Sequence, residues 1–243
     1  MYKWGDYMKI HTIVARDIPD AWFQCIYDIF DYGNEYIIDK GSFEGQKRLE
    51  FDYITIHIKF PGTRPLEPDI PEHFGIPNPV AEGYIEDYLP YLMTDKKAEN
   101  EDYTYGERLA GYEWYGHIQK GRCRRLRVNQ IDHWIDVLKK TPLTNQAVLQ
   151  VGVPQDSLLG DPPCLRHIDL RVESGKLHFI VYFRSWDLFN GFPANLGAIQ
   201  LLKEYMASEI GVEDGEIIAS SKGLHLYDYV WELAELRTNR KIK

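Results

Sequence analysis

Between Leu165 and Phe183 apolar and polar residues alternate in two runs divided by Ser174-Gly175. One run places Ile168, Leu170 and Val172 on a common face, and the other places Leu177, Phe179, Val181 and Phe183 there. Alternation on both sides of Ser-Gly predicts a β-hairpin with a two-residue turn. If Glu173 pairs with Lys176, carrying that register outward puts Cys164 opposite Ser185 and beside Arg184. From Leu196 to Ile210 the period changes, and the segment is apolar nearly all round. That pattern predicts a helix buried in the centre of the molecule, stopped by Gly211.

Other segments read as follows. Lys9 to Ala15 predicts a first strand. Pro19 then suits a first helical turn, and Trp22, Phe23, Ile26, Ile29 and Phe30 recur at helical spacing up to Gly33. Cys25 falls inside that helix as a core residue. Within 42–60, Leu49, Phe51 and Tyr53 share one parity, while Ile54, Ile56, Ile58 and Phe60 share the other. One extra residue near Tyr53 would reconcile them, which predicts a single strand with a β-bulge. Six prolines between Pro61 and Pro79 predict an extended excursion, since proline lacks the donor that helix and sheet interiors need. The whole stretch 61–104 reads as loop and small helix, with an acidic-aromatic segment around Pro90 and an exposed connection at 94–102.

The run RCRRLR at 122–127 reads as a basic connection. Asn129 caps the next helix, whose apolar stripe is Ile131, Trp134, Ile135 and Leu138. Pro142 stops that helix, and a buried strand, AVLQVGV, follows. After the central helix come a strand at 215–220, a turn at Lys222-Gly223, a short strand to Tyr227, a closing helix and a mobile tail at 238–243. Strands and helices mix without regular βαβ alternation, so the expected class is α+β, in a single domain spanning 1–243.

Composition narrows the function. A net charge of −9 disfavours bulk nucleic-acid binding, which needs a basic face, but leaves room for a local pocket for one phosphate ester. Three scattered cysteines, Cys25, Cys123 and Cys164, make neither a disulfide framework nor a zinc site. Free thiols, no signal-peptide pattern and no membrane-length apolar run predict a cytoplasmic protein. A thiol beside a guanidinium has the electropositive setting that lowers a thiol pKa, which makes Cys164 a candidate nucleophile beside Arg184.

Cys164 follows Pro162-Pro163, and after the hairpin come Arg184-Ser185-Trp186-Asp187 and Gly191-Phe192-Pro193-Ala194-Asn195. These residues resemble the thymidylate synthase family, whose signature runs Pro-Cys, a hairpin, then Arg-Ser-x-Asp-x-x-x-Gly-x-Pro-x-Asn. Every fixed residue is present at the family spacing, and His225-Leu226-Tyr227 matches the family's His-x-Tyr. The resemblance is specific over 160–230 and looks like a divergent, archaeal-type branch. It implies a bulged mixed sheet packed by a buried central helix, with a sheet face through which two copies dimerise.

The activity implied is one-carbon transfer to C5 of dUMP. The Cys164 thiolate would attack C6 in covalent catalysis. Arg184 would lower the thiol pKa and bind phosphate, Ser185 would add a hydroxyl, and Arg48 would be a further phosphate ligand. Asn195 would read uracil through O4 and N3–H, His225 and Tyr227 would hold the sugar hydroxyl, and Asp187 would meet the pterin. Gly191 would allow close approach, Tyr105 would match the family's Tyr-Gly, and Glu86 or Asp87 would supply a proton-relay carboxylate. The co-substrate would be 5,10-methylenetetrahydrofolate or methylene-tetrahydromethanopterin, with no bound metal or flavin.

Departures are visible too. The family's partner-subunit arginine pair is replaced by Asn145-Gln146, Leu165 stands where a histidine usually follows the cysteine, and the tail is basic. Arg124 and Arg125 are the expected substitutes for that pair. Two other readings accompany the synthase: a dUMP or dCMP hydroxymethylase using the same adduct, and a noncatalytic nucleotide-binding homologue.

Overall fold

The computed structural model describes residues 7–39, 43–118 and 122–242, with the side chains of 117, 118 and 122–124 left out. The chain opens with β1 (Ile10–Ala15), α1 (Ile18–Tyr32), β2 (Asn34–Ile37), β3 (Lys47–Glu50) and β4 (Tyr53–Ile58). The proline-rich excursion leads to α2 (Tyr84–Met93) and α3 (Tyr105–Ala110). A two-stranded ribbon, β5 (Tyr112–Ile118) and β6 (Arg122–Val128), precedes α4 (Gln130–Lys140) and β7 (Val148–Gln150). Then follow β8 (Leu165–Glu173), β9 (Lys176–Phe183), β10 (Trp186–Asp187), α5 (Gly191–Ile210), β11 (Glu213–Ser221), β12 (Leu224–Tyr227) and α6 (Trp231–Thr238). This is the α+β class expected.

Six strands form one mixed sheet in the order β1-β4-β11-β9-β8-β7, and four short ones form a second in the order β10-β12-β3-β2. The large sheet buries alternate residues, such as Ile54, Ile56 and Ile58 on β4 and Leu177, Phe179, Val181 and Phe183 on β9. Against that face lies α5, which buries Phe192, Leu196, Ile199, Leu202 and Met206 and ends at Gly211 in the left-handed region. Such extended apolar burial is the main stabilising term of the fold. The opposite face keeps Thr55, His57, Ile180, Tyr182, Ile218 and Ser220 half-buried. At the start of α1, Asp17 accepts the amide of Asp20, and Trp22 donates across the core to the carbonyl of Phe189 at 3.0 Å. Cys25 is fully buried in that helix.

Three expectations change. The stretch 42–60 is not one bulged strand: β3 and β4 belong to different sheets, and the parity change at Tyr53 marks the passage between them. A change of sheet inverts the buried parity as a bulge does, so the pattern alone cannot separate the two. The bulges lie instead in β8, between Leu165 and His167, and in β11, between Asp214 and Ile217. The arginine run is a strand of the ribbon, not a connection, with Tyr115 facing Arg125 across the ladder. Finally, the tail is tied down: Arg240 donates to the carbonyl of Tyr27 and to Asp31, each at 2.6 Å, and Ile242 N donates to Glu235. Among the described residues no helix is long and apolar enough to cross a membrane.

Candidate active site

The hairpin turn is built from Ser174 (φ 52°) and Gly175 (φ 75°), both left-handed, as a turn matching the strands' twist requires. Glu173 pairs with Lys176, and the expected register holds as far as His167 opposite Tyr182. The bulge then inserts one residue, Leu165 faces Phe183, and Arg184 N donates to the carbonyl of Cys164 at 2.8 Å. Cys164 therefore lies opposite Arg184, not Ser185.

Arg184 is already engaged. Its Nε donates to the carbonyls of Pro162 and Pro163, both at 3.2 Å, and its Nη2 to Asp161 at 2.9 Å. On the other side, Arg166 reaches Asp156 and the Pro163 carbonyl, both at 3.3 Å, and buried Asp156 also accepts from buried Arg108 at 3.1 Å. Burial pushes the Cys164 thiol up, Asp161 adds to the rise, and the two guanidiniums of Arg184 and Arg166 only oppose it. The expected depression of the thiol pKa is thus reversed, because desolvation of a thiolate exceeds the pull of cations already paired with carboxylates. Asp161, Arg166 and Asp156 were not singled out from the sequence. Asp161 directly before the two prolines was the one local signal.

Aromatic hydroxyls ring the thiol. Tyr105 accepts the amide of Leu165 at 3.2 Å, and the phenols of Tyr103, Tyr105 and Tyr227 all feel Cys164. Burial raises each of them, Tyr103 and Tyr227 to about 12, so they are neutral hydroxyls at physiological pH.

At the start of α5, Asp187 accepts the amides of Phe189, Asn190 and Gly191 at 3.0–3.2 Å, orienting the turn into the helix. A Cβ on Gly191 would sit 3.2 Å from the Cβ of Asp187, a tight contact that glycine avoids. Asp187, Gly191 and Asn195 line one cavity of about 430 Å³ together with Tyr84, Tyr88 and Val80. Trp186 donates its indole N–H to Oδ1 of Asn195 at 3.1 Å. The hydroxyl of Tyr88 also bonds Asn195, and burial lifts its pKa well above that of an ordinary phenol.

Strand pairing brings the last group in. Asp187 pairs with His225 and Arg48 with Tyr227, so β10, β12 and β3 carry Asp187, His225, Tyr227 and Arg48 side by side. Nδ1 of His225 lies 2.9 Å from the carbonyl of Gly223. A carbonyl only accepts, so Nδ1 bears the proton and Nε2 is an acceptor, buried with no partner among the described residues. Arg48 Nε lies 2.8 Å from Glu50.

Two expected groups stay away. Glu86 and Asp87 sit on the exposed side of α2, and Glu86 feels Arg64; α2 buries Ile85 and Leu92 and lends Tyr84 and Tyr88 to the cavity. A helix turns by about 100° per residue, so one step decides which side chain enters the site. Arg125 reaches Glu113 across the ribbon with Nε at 2.8 Å, and Arg127 pairs with Asp95. The side chain of Arg124 lies outside the described residues, and Ser185 is half-buried beside Arg184.

Burial lowers the His225 pKa to about 4 from 6.5. The unfolded chain therefore takes up a proton first as pH falls, and stability is lost between pH 6.5 and about 4. Urea unfolding at pH 7 and pH 4.5 is expected to show a loss about 2–3 kcal/mol larger in the parent than in His225→Gln. Equal losses would mean that the imidazole is not held neutral.

The fold is thus an α+β protein with a partly buried thiol opposite an arginine at the base of its hairpin and a cavity lined by Asp187, Gly191 and Asn195 at the start of α5. The thymidylate synthase family model matches residues 85–243. Three curated relatives, each named provisionally as a thymidylate synthase, align over most of their length. That of Methanosarcina barkeri is 31% identical, covering 95% of this chain and 96% of its own. The Methanosarcina mazei protein is 30% identical with 92% of each covered, and the Methanopyrus kandleri protein 28% identical with 89% and 93%. The chain belongs to the thymidylate synthase family.

Proposed function

We propose that this chain is a thymidylate synthase, converting dUMP to its 5-methyl derivative with a reduced pterin carrying a methylene group. The observation that carries this reading is the placement of Cys164 against Arg184 through a direct backbone bond, with Tyr227 interacting with both Cys164 and Asp187. Cys164 forms a bond to C6 of the pyrimidine, and the electrons of the 5,6 double bond move to O4 as an enolate. C5 then attacks the methylene of the carrier and loses its proton. The bond from that methylene to the carrier nitrogen breaks to leave an exocyclic methylene on C5. Hydride from the reduced pterin adds to this methylene as the thiolate leaves, giving the 5-methyl group and the oxidised carrier. Because the thiol is raised in the unliganded chain, its proton must depart when nucleotide binds.

Arg184, Ser185 and Arg48 would bind the phosphate, the first by exchanging Asp161 for it. The unpartnered Nε2 of His225 fits a ribose hydroxyl donor, with Tyr227 beside it. Asp187 would face the pterin, while Tyr105 would steady the strand that bears the thiol. Tyr84 and Tyr88, not Glu86, are the groups that α2 lends to the cavity. A homodimer through the open sheet face, where Ile180 and Ile218 pair in register, would bring a neighbour's ribbon near the phosphate, with Arg124 and Arg125 as its cations. The carrier is a folate or methanopterin.

One observation favours a noncatalytic homologue: the raised thiol beside an arginine that is already occupied. Incubation with dUMP tritiated at C5, with each carrier in turn, decides between them. The synthase is expected to release tritium and yield a methylated product, a hydroxymethylase to release tritium and yield an alcohol. Nucleotide binding with no release under either carrier would leave only the noncatalytic reading.

A further inference from the structure

Asn195 is the residue through which the proposed site would read a base, and the inference below rests on that reading. A primary amide offers donors at one end and acceptors at the other, so it matches uracil in one orientation and cytosine in the reverse. Uracil presents O4, an acceptor, and N3–H, a donor. Cytosine presents an amino group, a donor, and N3, an acceptor. An asparagine free to turn over would therefore accept both bases.

In this chain it is not free to turn. The indole N–H of Trp186 lies 3.1 Å from Oδ1 of Asn195. An indole nitrogen is a donor only, so the atom facing it must be the amide oxygen, whatever the choice of labels. Reversing the amide would set N–H against N–H in a dry place, since Trp186 is 2% exposed. Trp186 cannot move aside either. Its ring stacks on Phe183 with centroids 4.0 Å apart and 7° between planes, and meets Phe192 at a 34° tilt with centroids 4.6 Å apart. Its backbone is fixed as well: Trp186 N donates to the carbonyl of Gly223 at 2.9 Å, and Trp186 pairs with Leu224 in the small sheet. The other neighbour of the amide, the hydroxyl of Tyr88, can donate or accept and tolerates either orientation.

We propose that Trp186 is a specificity-determining positioning residue, whose donor-only indole locks the Asn195 amide in the orientation that pairs with uracil and rejects cytosine. After the bond to Trp186, Oδ1 keeps a second lone pair for N3–H, and the amide nitrogen keeps a hydrogen for O4. Both leftover groups match uracil. For cytosine, both would be opposed, and unpaired groups in a closed site discriminate strongly.

The test is calorimetric binding of dUMP and dCMP to the full chain and to variants at Trp186, Tyr88 and Asn195. In Trp186→Phe the preference for dUMP should fall by about tenfold or more, equivalent to about 1.4 kcal/mol or more. Should that variant fail to fold, Trp186 is replaced by 3-benzothienylalanine, in which sulfur stands in the place of the indole N–H and the stacking is kept. The same fall in preference is expected there. Tyr88→Phe should weaken both nucleotides and leave their ratio unchanged. A folded Trp186 variant with the parental ratio overturns the lock. The Asn195→Asp protein separates that failure from failure of the underlying reading. If its ratio shifts while the Trp186 ratio does not, only the lock is wrong. If neither shifts, Asn195 does not face the base.

Discussion

Replacing Cys164 with alanine is expected to abolish tritium release from C5 of dUMP, while nucleotide affinity stays within about tenfold of the parent, about 1.4 kcal/mol. The reason is chemical. C5 of uracil is a weak nucleophile until the 5,6 double bond is opened, and in the proposed site the described atom able to open it is the sulfur opposite Arg184. Serine would not substitute, because the phenols around position 164 are neutral and offer no strong base to an alcohol. Cys25 cannot take over: it is wholly buried inside α1, and burial drives its thiol far upward. Direct measurement is a release assay beside a calorimetric titration. Turnover retained in Cys164→Ala would remove the thiolate mechanism altogether.

The second large effect concerns Arg184, with Asp161 as its counterweight. Arg184→Ala is expected to weaken dUMP binding roughly 30- to 150-fold, the equivalent of about 2–3 kcal/mol for a lost charge-assisted contact. Deoxyuridine, which has no phosphate, should be affected far less. The variant also leaves the carbonyl of Pro162 without its Arg184 donor and that of Pro163 with Arg166 alone, so the loop bearing Cys164 should loosen. Asp161→Asn should act in the opposite direction. It frees the guanidinium for phosphate and removes a charge that raises the thiol, so the pH midpoint for alkylation of Cys164 by iodoacetamide should fall. In Arg184→Ala the same midpoint should rise, since a stabilising cation is gone. Identical alkylation profiles in all three proteins would show that neither charge acts on the sulfur, and equal losses for nucleotide and nucleoside would show that Arg184 does not hold phosphate.

Much of this was legible before any coordinates. Alternation about Ser174-Gly175 defined the hairpin, because the turn chemistry is local and the side-chain period of a strand is two. The all-round apolar run to Ile210 defined the buried helix for the same kind of reason, and Gly211 fixed its end. Cys164 and Arg184 were found from the hairpin register, and Asp187, Gly191 and Asn195 from the resemblance to the thymidylate synthase family; the first two lie at the hairpin base and the others at the start of α5. What escaped was every question of which side chain faces which across elements. A single residue inserted at Arg166 moved Cys164 from Ser185 to Arg184, and nothing in the alternation announces a bulge so close to a strand end. The parity change at Tyr53 was visible, yet its cause was a change of sheet.

By itself, then, the amino-acid sequence determined the hairpin, the first and central helices and their buried faces, which follow from periodicity and turn propensity over a few neighbouring residues, while the candidate reactive groups came mainly from the family resemblance. Tertiary structure alone decided the electrostatics. Asp161 and Asp156 pair with the arginines that flank the thiol, so burial wins and the pKa rises rather than falls. It also decided that Tyr84 and Tyr88, not Glu86, line the cavity, that Nε2 of His225 is left unpaired among the described residues, and that Trp186 sits against Asn195. These are contacts between segments far apart or on different elements, where an ångström of packing or a single helical step selects one partner over another, and no local pattern carries that information.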